Sequence, residues 1–338
     1  MPETESHTLV TGITGFIGLH VALNLREQGY SVRGTVRNRE KAEKLLGASV
    51  PEPDAFSCVE ADLLSDDGWA EAMAGVEVVH HVASPFPLEE PKDPDTVIGP
   101  AKEGTRRVLR AAKEAGVRRV VVTASVASIM YGHDASHRQP FTEEDFTDPE
   151  APKLSTYIRS KTLAEQTAWE LARELDLELC TVHPGLVLGP LAAPNAGTSV
   201  GIVQELLGGK LPGCPRLNFP VVDVRDVAEL HRLAGETSGA AGNRYACTSN
   251  SMWFFEIAQL LRKELPDFDR KIPKRELPNW LVKLISLFDP SIRAILPELG
   301  MERAVSSDKA QRELGWRPRT AEEAVLESGR TLVKLGLV

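Results

Sequence analysis

Through the first half of the chain, short runs rich in β-branched residues alternate with longer stretches of helix formers. The runs are Thr8–Gly12 (TLVTG), Ser31–Arg37 (SVRGTVR), Phe56–Asp62 (FSCVEAD), Val76–Ala83 (VEVVHHVA), Arg119–Ser125 (RVVVTAS) and Glu178–Gly185 (ELCTVHPG). Runs such as Val120-Val121-Val122 are apolar on both faces, as strands are when helices cover them on both sides. Between them lie Ile17–Gln28, Thr96–Ala115 and Thr156–Leu175, the last opened by Ser155 as a predicted N-cap. Strand and helix in alternation, joined by right-handed crossovers, predict an α/β chain with a doubly wound parallel sheet.

From Pro184 the texture changes, with Pro and Gly punctuating LGPLAAPNAGTS and LGGKLPGCPRLNFP. A helical stretch from Val221, VVDVRDVAELHRLAGE, and a short strand near Asn243–Cys247 read as a return to the sheet. The expected division is residues 1–183 as a nucleotide-binding domain with 221–247 returning to it. Residues 184–220 and 248–338 then form a smaller C-terminal, substrate-binding lobe beside the carboxyl ends of the strands, where open α/β sheets bind ligands.

The 338 residues, 42% hydrophobic and 26% charged, suit a large folded domain with an appended lobe. A net charge of -9 offers no basic footprint for nucleic acid, so a small molecule is the expected ligand. No apolar run reaches the roughly 18 to 20 residues of a membrane span, and the start MPETESHTLV has no signal-peptide pattern. A cytoplasmic protein, without a membrane partner, is expected. Cys58, Cys180, Cys214 and Cys247 are scattered, without metal-ligand spacing, and read as reduced; no metal site is expected.

Thr11-Gly12-Ile13-Thr14-Gly15-Phe16-Ile17-Gly18 follows a predicted strand and opens a predicted helix, the context that makes a glycine pattern informative. Gly12 suits a tight turn, Gly15 admits a pyrophosphate close to backbone, and Gly18 lets helix and strand pack. A site for NAD places an acid at the end of the second strand, whereas here the strand ends Thr35-Val36-Arg37, with Arg39, Lys41 and Lys44 behind. A guanidinium matches a 2'-phosphate in charge and geometry, which favours NADP(H). By position, Asp62 and Leu63 are candidates to meet the adenine.

Tyr157 and Lys161, four apart on a predicted helix, share a face. A nearby ammonium is expected to lower the phenol's pKa. Ser125 ends an apolar strand, where its hydroxyl can bind a substrate carbonyl. His80, His81 and His183 read as structural.

The motifs TGITGFIG, TVRNREK, EADL, HHVASPF, VVVTASVASI, YIRSK, HPGLVLGP, VDVRDVA and SSDKAQRELGWRP, in this order, resemble the extended short-chain dehydrogenase/reductases. The resemblance is to the branch of dihydroflavonol 4-reductases, cinnamoyl-CoA reductases and aldehyde or methylglyoxal reductases. It implies a Rossmann fold with NADPH across the strand ends and hydride transfer to a ketone or aldehyde carbon. Tyr157 is then the general acid, Lys161 lowers its pKa and holds the nicotinamide ribose, and Ser125 binds the carbonyl oxygen. Arg37, helped by Lys41, matches the 2'-phosphate position. Ala83 and Ser84 match the stretch under the ribose and phosphates, and Pro184, Gly185 and Val187 the backbone that orients the carboxamide.

Where dihydroflavonol reductases carry an Asn, this chain has Met130, which cannot make the same hydrogen bonds to a flavonoid. An apolar pocket for a bulky carbonyl compound is expected, lined by Phe86, Met130, Tyr131 and Ser199, with Pro87, Thr198, Ile202, Leu206 and Phe219 as further candidates. The competing readings are a hydroxysteroid dehydrogenase, a nucleotide-sugar epimerase or dehydratase, and a non-catalytic NADPH-binding sensor. Both a monomer and a homodimer are compatible with the helices at Thr96–Ala115 and Thr156–Leu175.

Overall fold

A computed structural model describes residues 7–50, 56–84, 91, 93–133, 140–194, 197, 199–288 and 290–338. Seven parallel strands form the central sheet: β1 (His7–Thr11), β2 (Ser31–Val36), β3 (Phe56–Glu60), β4 (Val76–His81), β5 (Arg119–Thr123), β6 (Glu178–Pro184) and the later β9 (Arg244–Cys247). Their order is β3-β2-β1-β4-β5-β6-β9. The direction of winding reverses between β1 and β4, so the crevice for a ligand opens at the carboxyl ends there.

Neighbouring residues on one strand feed opposite layers. Leu9, Val120 and Val122 pack with Met73, Leu109 and Leu171, under α3 (Trp69–Met73), α4 (Asp95–Glu114) and α5 (Thr156–Glu174). On the other face Val10 packs with Leu19 and Leu25 of α1 (Phe16–Glu27), and Val121 with Val227 and Leu230 of α7 (Val224–Glu236). Each such buried side chain contributes about 2 kcal/mol of transfer free energy, which fixes the register of a sheet covered on both faces. α2 (Arg39–Ser49) bridges β2 to β3.

The stretch from Val221 is not helical from its start. Val221–Asp223 closes the strand β8 (Asn218–Asp223), and α7 begins only at Val224. Asp223 stops the strand and starts the helix, its Oδ1 accepting the Arg225 N–H at 2.9 Å; two successive valines before it favour the extended chain. β8 pairs with β7 (Leu186–Leu188) in parallel and with β10 (Ser251–Trp253) antiparallel. Around this small sheet α6 (Gly201–Gly208), α8 (Phe254–Glu264) and α12 (Ala321–Lys334) share a second core of Val203, Leu206, Leu217, Ile257, Leu261 and Val325. Leu206, a further candidate for the pocket, is fully buried in that core. α9 (Asn279–Ile285), α10 (Pro290–Ile295) and α11 (Asp308–Leu314) complete the chain. All four cysteines are buried and unpaired. Among the described residues no helix is long and apolar enough to cross a membrane.

Candidate active site

β1 ends in a turn that only glycine fits. Gly12 has φ +68°, and a Cβ on Gly18 would stand 2.3 Å from the Gly12 carbonyl oxygen, so α1 lies directly on the turn. Gly15 precedes the helix without any side-chain cap, and the first turn carries no acid. Its N–H groups and dipole are therefore available to an anion. Thr14 and Phe16 are half-buried beside it, and Ile17 packs into the core. The Thr11 hydroxyl oxygen accepts the Val82 and Ala83 N–H groups at 3.0 and 2.9 Å and lies 2.9 Å from His81 Nδ1. That bond brings Ala83 against Gly12, where an added Cβ would meet it at 3.1 Å. Ser84 follows, half-buried.

At the end of β2, Arg37 and Lys41 are both exposed. Asn38 caps α2 by accepting the Lys41 N–H at 2.8 Å, and Arg39 is engaged by Glu43 at 2.8 Å. Arg37 and Lys41 are thus two exposed cations beside the strand end, with Lys44 exposed further along α2, a donor set suited to a phosphate. Beyond β3, Asp62 Oδ1 accepts the Leu64 N–H at 2.9 Å, and Leu63 leans on α4 at Gly104, whose absent Cβ would stand 2.9 Å away.

Ser125 lies two residues past β5, its backbone extended at φ -164°. Its Oγ accepts the Ala127 N–H at 3.1 Å and lies close enough to the Tyr157 hydroxyl to favour its ionised form. Ser155 caps α5 by accepting the Ile158 N–H at 3.3 Å, which sets Tyr157 and Lys161 in the first turns of the helix. The structure therefore brings Ser125 and Tyr157 together. Burial raises the Tyr157 phenol above its ordinary value, against the smaller lowering effect of the Ser125 hydroxyl. This sign is opposite to the expectation from the Tyr–Lys spacing, because desolvation of a phenolate outweighs the hydroxyl that favours it. Burial also lowers the Lys161 ammonium to about 8, and its charge further depresses His81.

Pro184 ends β6 and is buried, and Val187 sits in β7 within the core. Gly185 between them donates its N–H to the Cys247 carbonyl at 3.1 Å. A Cβ there would stand 2.1 Å from the Pro220 carbonyl oxygen, so the chain can cross from the large sheet to the small one only with glycine at this point.

Met130 is buried and Tyr131 half-buried, and Tyr131 is close enough to Tyr157 to feel its charge. Ser199 is half-buried next to α6. Phe219 stands edge-on to Phe254, 6.3 Å between ring centres, and with Ile202 packs against the lobe core. Phe86, Pro87 and Thr198 lie outside the described residues.

Two groups of residues at the site escape a reading of motifs. Arg303, far along the chain, donates to the Met130 carbonyl at 2.8 Å, pairs with Glu298 at 3.0 Å and lies over the Tyr131 ring at 4.7 Å. It ties the Met130–Tyr131 segment to the stretch of chain between α10 and α11. Beneath Ser125, Glu165 of α5, His183 of β6 and Arg244 of β9 are all buried, with Glu165 in contact with both of the others. For Glu165 a signal existed, since it continues the four-residue spacing of Tyr157 and Lys161.

Residues 8–247 match the NAD dependent epimerase/dehydratase family. The chain is 34% identical over 283 residues to tetraketide alpha-pyrone reductase 2 of Arabidopsis thaliana, covering 81% of this chain and 88% of that one. To cinnamoyl-CoA reductase 1 of Petunia hybrida it is 35% identical over 266 residues, 77% of each. Among solved structures it resembles the yeast methylglyoxal/isovaleraldehyde reductase Gre2 complexed with NADPH, with a TM-score of 0.80 and 25% identity over 98% of this chain and 100% of that one.

Proposed function

The chain belongs to the NAD dependent epimerase/dehydratase family, and on that footing we propose that it is an NADP(H)-dependent oxidoreductase that reduces a bulky, apolar ketone or aldehyde to its alcohol. The observation that carries the reading is the nearness of the Ser125 and Tyr157 hydroxyls, just past the carboxyl end of β5, in a chain whose β1 ends in a positive-φ glycine turn at Gly12. Relatives named as reductases and a similar structure that holds NADPH support it.

NADPH, when bound, supplies the hydride that the carbonyl carbon accepts. Everything else falls to side chains of this chain. The Ser125 hydroxyl holds the substrate's carbonyl oxygen, and Tyr157 gives that oxygen its proton as the alkoxide develops. The raised phenol pKa keeps Tyr157 protonated at neutral pH, the state a general acid needs. Lys161, one turn further along α5, supplies positive charge on the same face and holds the nicotinamide ribose. Solvent returns the proton to Tyr157, so one carbonyl, one NADPH and one proton give one alcohol and one NADP+. Arg37 and Lys41 take the 2'-phosphate, and Met130 with Tyr131 forms the apolar side of the substrate pocket.

The test is NADPH oxidation at 340 nm with methylglyoxal, isovaleraldehyde, aryl ketones, diketones, a steroid ketone and one dihydroflavonol, with NADH in parallel and Tyr157→Phe as control. We expect turnover with NADPH on apolar carbonyls, and a loss of at least about 100-fold in kcat in the Phe variant. Tight NADPH binding with no consumption by the wild type on any carbonyl would sink the reductase reading in favour of a sensor. UDP-sugar epimerisation by the wild type would sink it in favour of the sugar-nucleotide alternative.

A further inference from the structure

We propose that His183, tied to Glu165 and Arg244, is a buried strut that sets Ser125 against Tyr157; the inference rests on the reductase reading above. Tyr157, Lys161 and Glu165 follow one another at four-residue spacing on α5, so the helix that presents the acid also presents a carboxylate on the same face. Glu165 Oε1 accepts from Arg244 Nε at 2.7 Å and from Trp169 Nε1 at 3.0 Å, and lies 3.3 Å from His183 Nε2. Thr181 Oγ1 is 2.8 Å from the same nitrogen. The other face of the ring reaches the site: His183 Nδ1 is 3.1 Å from the Ser125 carbonyl oxygen. Ser128 Oγ donates to that oxygen as well, at 2.8 Å, and Arg244 Nη2 donates to the Ser128 carbonyl at 3.1 Å.

α5, β6, β9 and the turn after β5 thus meet in one hydrogen-bonded knot whose polar side chains are all buried. Water has no access with which to replace a lost partner. The Ser125 carbonyl is held from below by this knot and its Oγ from the side by the Ala127 N–H, which leaves the hydroxyl little freedom other than toward Tyr157. His183, Glu165 and Arg244 touch no reacting atom; they are positioning residues. Displacing a catalytic group by about an ångström lowers the rate by up to roughly 100-fold.

Two substitutions at one position separate a strut from mere packing. In His183→Asn the amide nitrogen falls near the place of Nδ1 and keeps a donor for Ser125, whereas His183→Gln reaches toward Glu165 and loses it. Stopped-flow and steady-state NADPH oxidation with isovaleraldehyde, or the panel's fastest carbonyl, gives kcat and KM, and nucleotide fluorescence gives the NADPH Kd. The Gln variant is expected to lose about tenfold in kcat with KM and Kd unchanged, and the Asn variant to stay within about threefold of wild type. Equal kcat in the two variants, or the reverse order, overturns the strut even when Tyr157→Phe is dead. Turnover surviving in Tyr157→Phe overturns Tyr157 as the acid, and no NADPH consumption by the wild type on any carbonyl overturns the reductase reading itself; both are results separate from the order of the two His183 variants. Should either His183 variant fail to bind NADPH, Ser128→Ala, which removes the second donor to the same carbonyl, carries the test: about a threefold fall in kcat is expected, and an unchanged kcat overturns the proposal.

Discussion

At the end of β2 a site for NAD needs a carboxylate to hold the ribose 2'-hydroxyl, and this chain offers Arg37 instead, exposed and flanked by a capped helix that presents Lys41. A hydrogen bond from a charged group is worth about 1.5 to 3 kcal/mol, or roughly a factor of ten to a hundred in binding. Arg37→Ser should therefore raise KM for NADPH by at least about tenfold while leaving KM for NADH within a factor of about two; parallel titrations of the two cofactors check this, and equal shifts would remove Arg37 from the phosphate site. At this scale the glycines, Arg37, Tyr157 and Lys161 were legible in the sequence because each belongs to a short motif with fixed spacing. Arg303 and Arg244 were not. Each acts on residues far away along the chain, Met130 and Glu165, and no local pattern announces such a partner. The sign of the Tyr157 shift was missed for a related reason, since spacing reports neighbours and burial depends on the whole fold.

Among the elements, α5 contributes three residues of the candidate site and the knot beneath it, with Tyr157, Lys161 and Glu165 on one face and its start fixed by Ser155. Ser155→Ala removes the acceptor for the Ile158 N–H and should cost about 1 kcal/mol, a fall of roughly 1 to 2 °C in Tm for a chain of this size. Because the knot under Ser125 holds the helix further along, kcat should change by less than about twofold; calorimetry and steady-state rates on the same variant check both numbers. Helix and strand identities were readable wherever one period ran uninterrupted, as over Arg119–Thr123 and Thr156–Glu174. The reading failed at Val221, where three strand residues abut a helix with no turn between them. There the apolar pattern of the strand's end merges into that of the helix, and only the Asp223 cap marks the boundary.

Over the whole molecule the sheet is unusual in enclosing titratable rings. His80 and His231 pack with their rings tilted at 60° and 5.7 Å between ring centres, His231 Nε2 lies 2.8 Å from Thr123 Oγ1, and His81 bonds to Thr11 at 2.9 Å. Burial lowers His80 and His81 to about 3 and His231 well below its ordinary value, and lowers His20 to about 4. In the unfolded chain these rings titrate near 6.5, so below that pH the unfolded state binds protons that the folded state refuses. Stability is therefore full above about pH 6.5 and falls as pH drops, by up to about 1.4 kcal/mol per pH unit for each ring, until the folded values near 3 are reached. Urea melts at pH 7.0 and 5.0 should show a clearly lower midpoint at 5.0, and coincident midpoints would mean that these rings are hydrated or paired in solution.

Arg37 and Ser125 stand just past the carboxyl ends of β2 and β5, with β1 and β4 between them, a separation of three strand spacings or roughly 14 Å. Residues that far apart, with no partner in common, contribute free energies that add. Under the proposed function, choice of electron donor and choice of carbonyl are thus two independent traits of one chain: selection or an engineer can rewrite the first at β2 and inherit the second, at β5, unaltered.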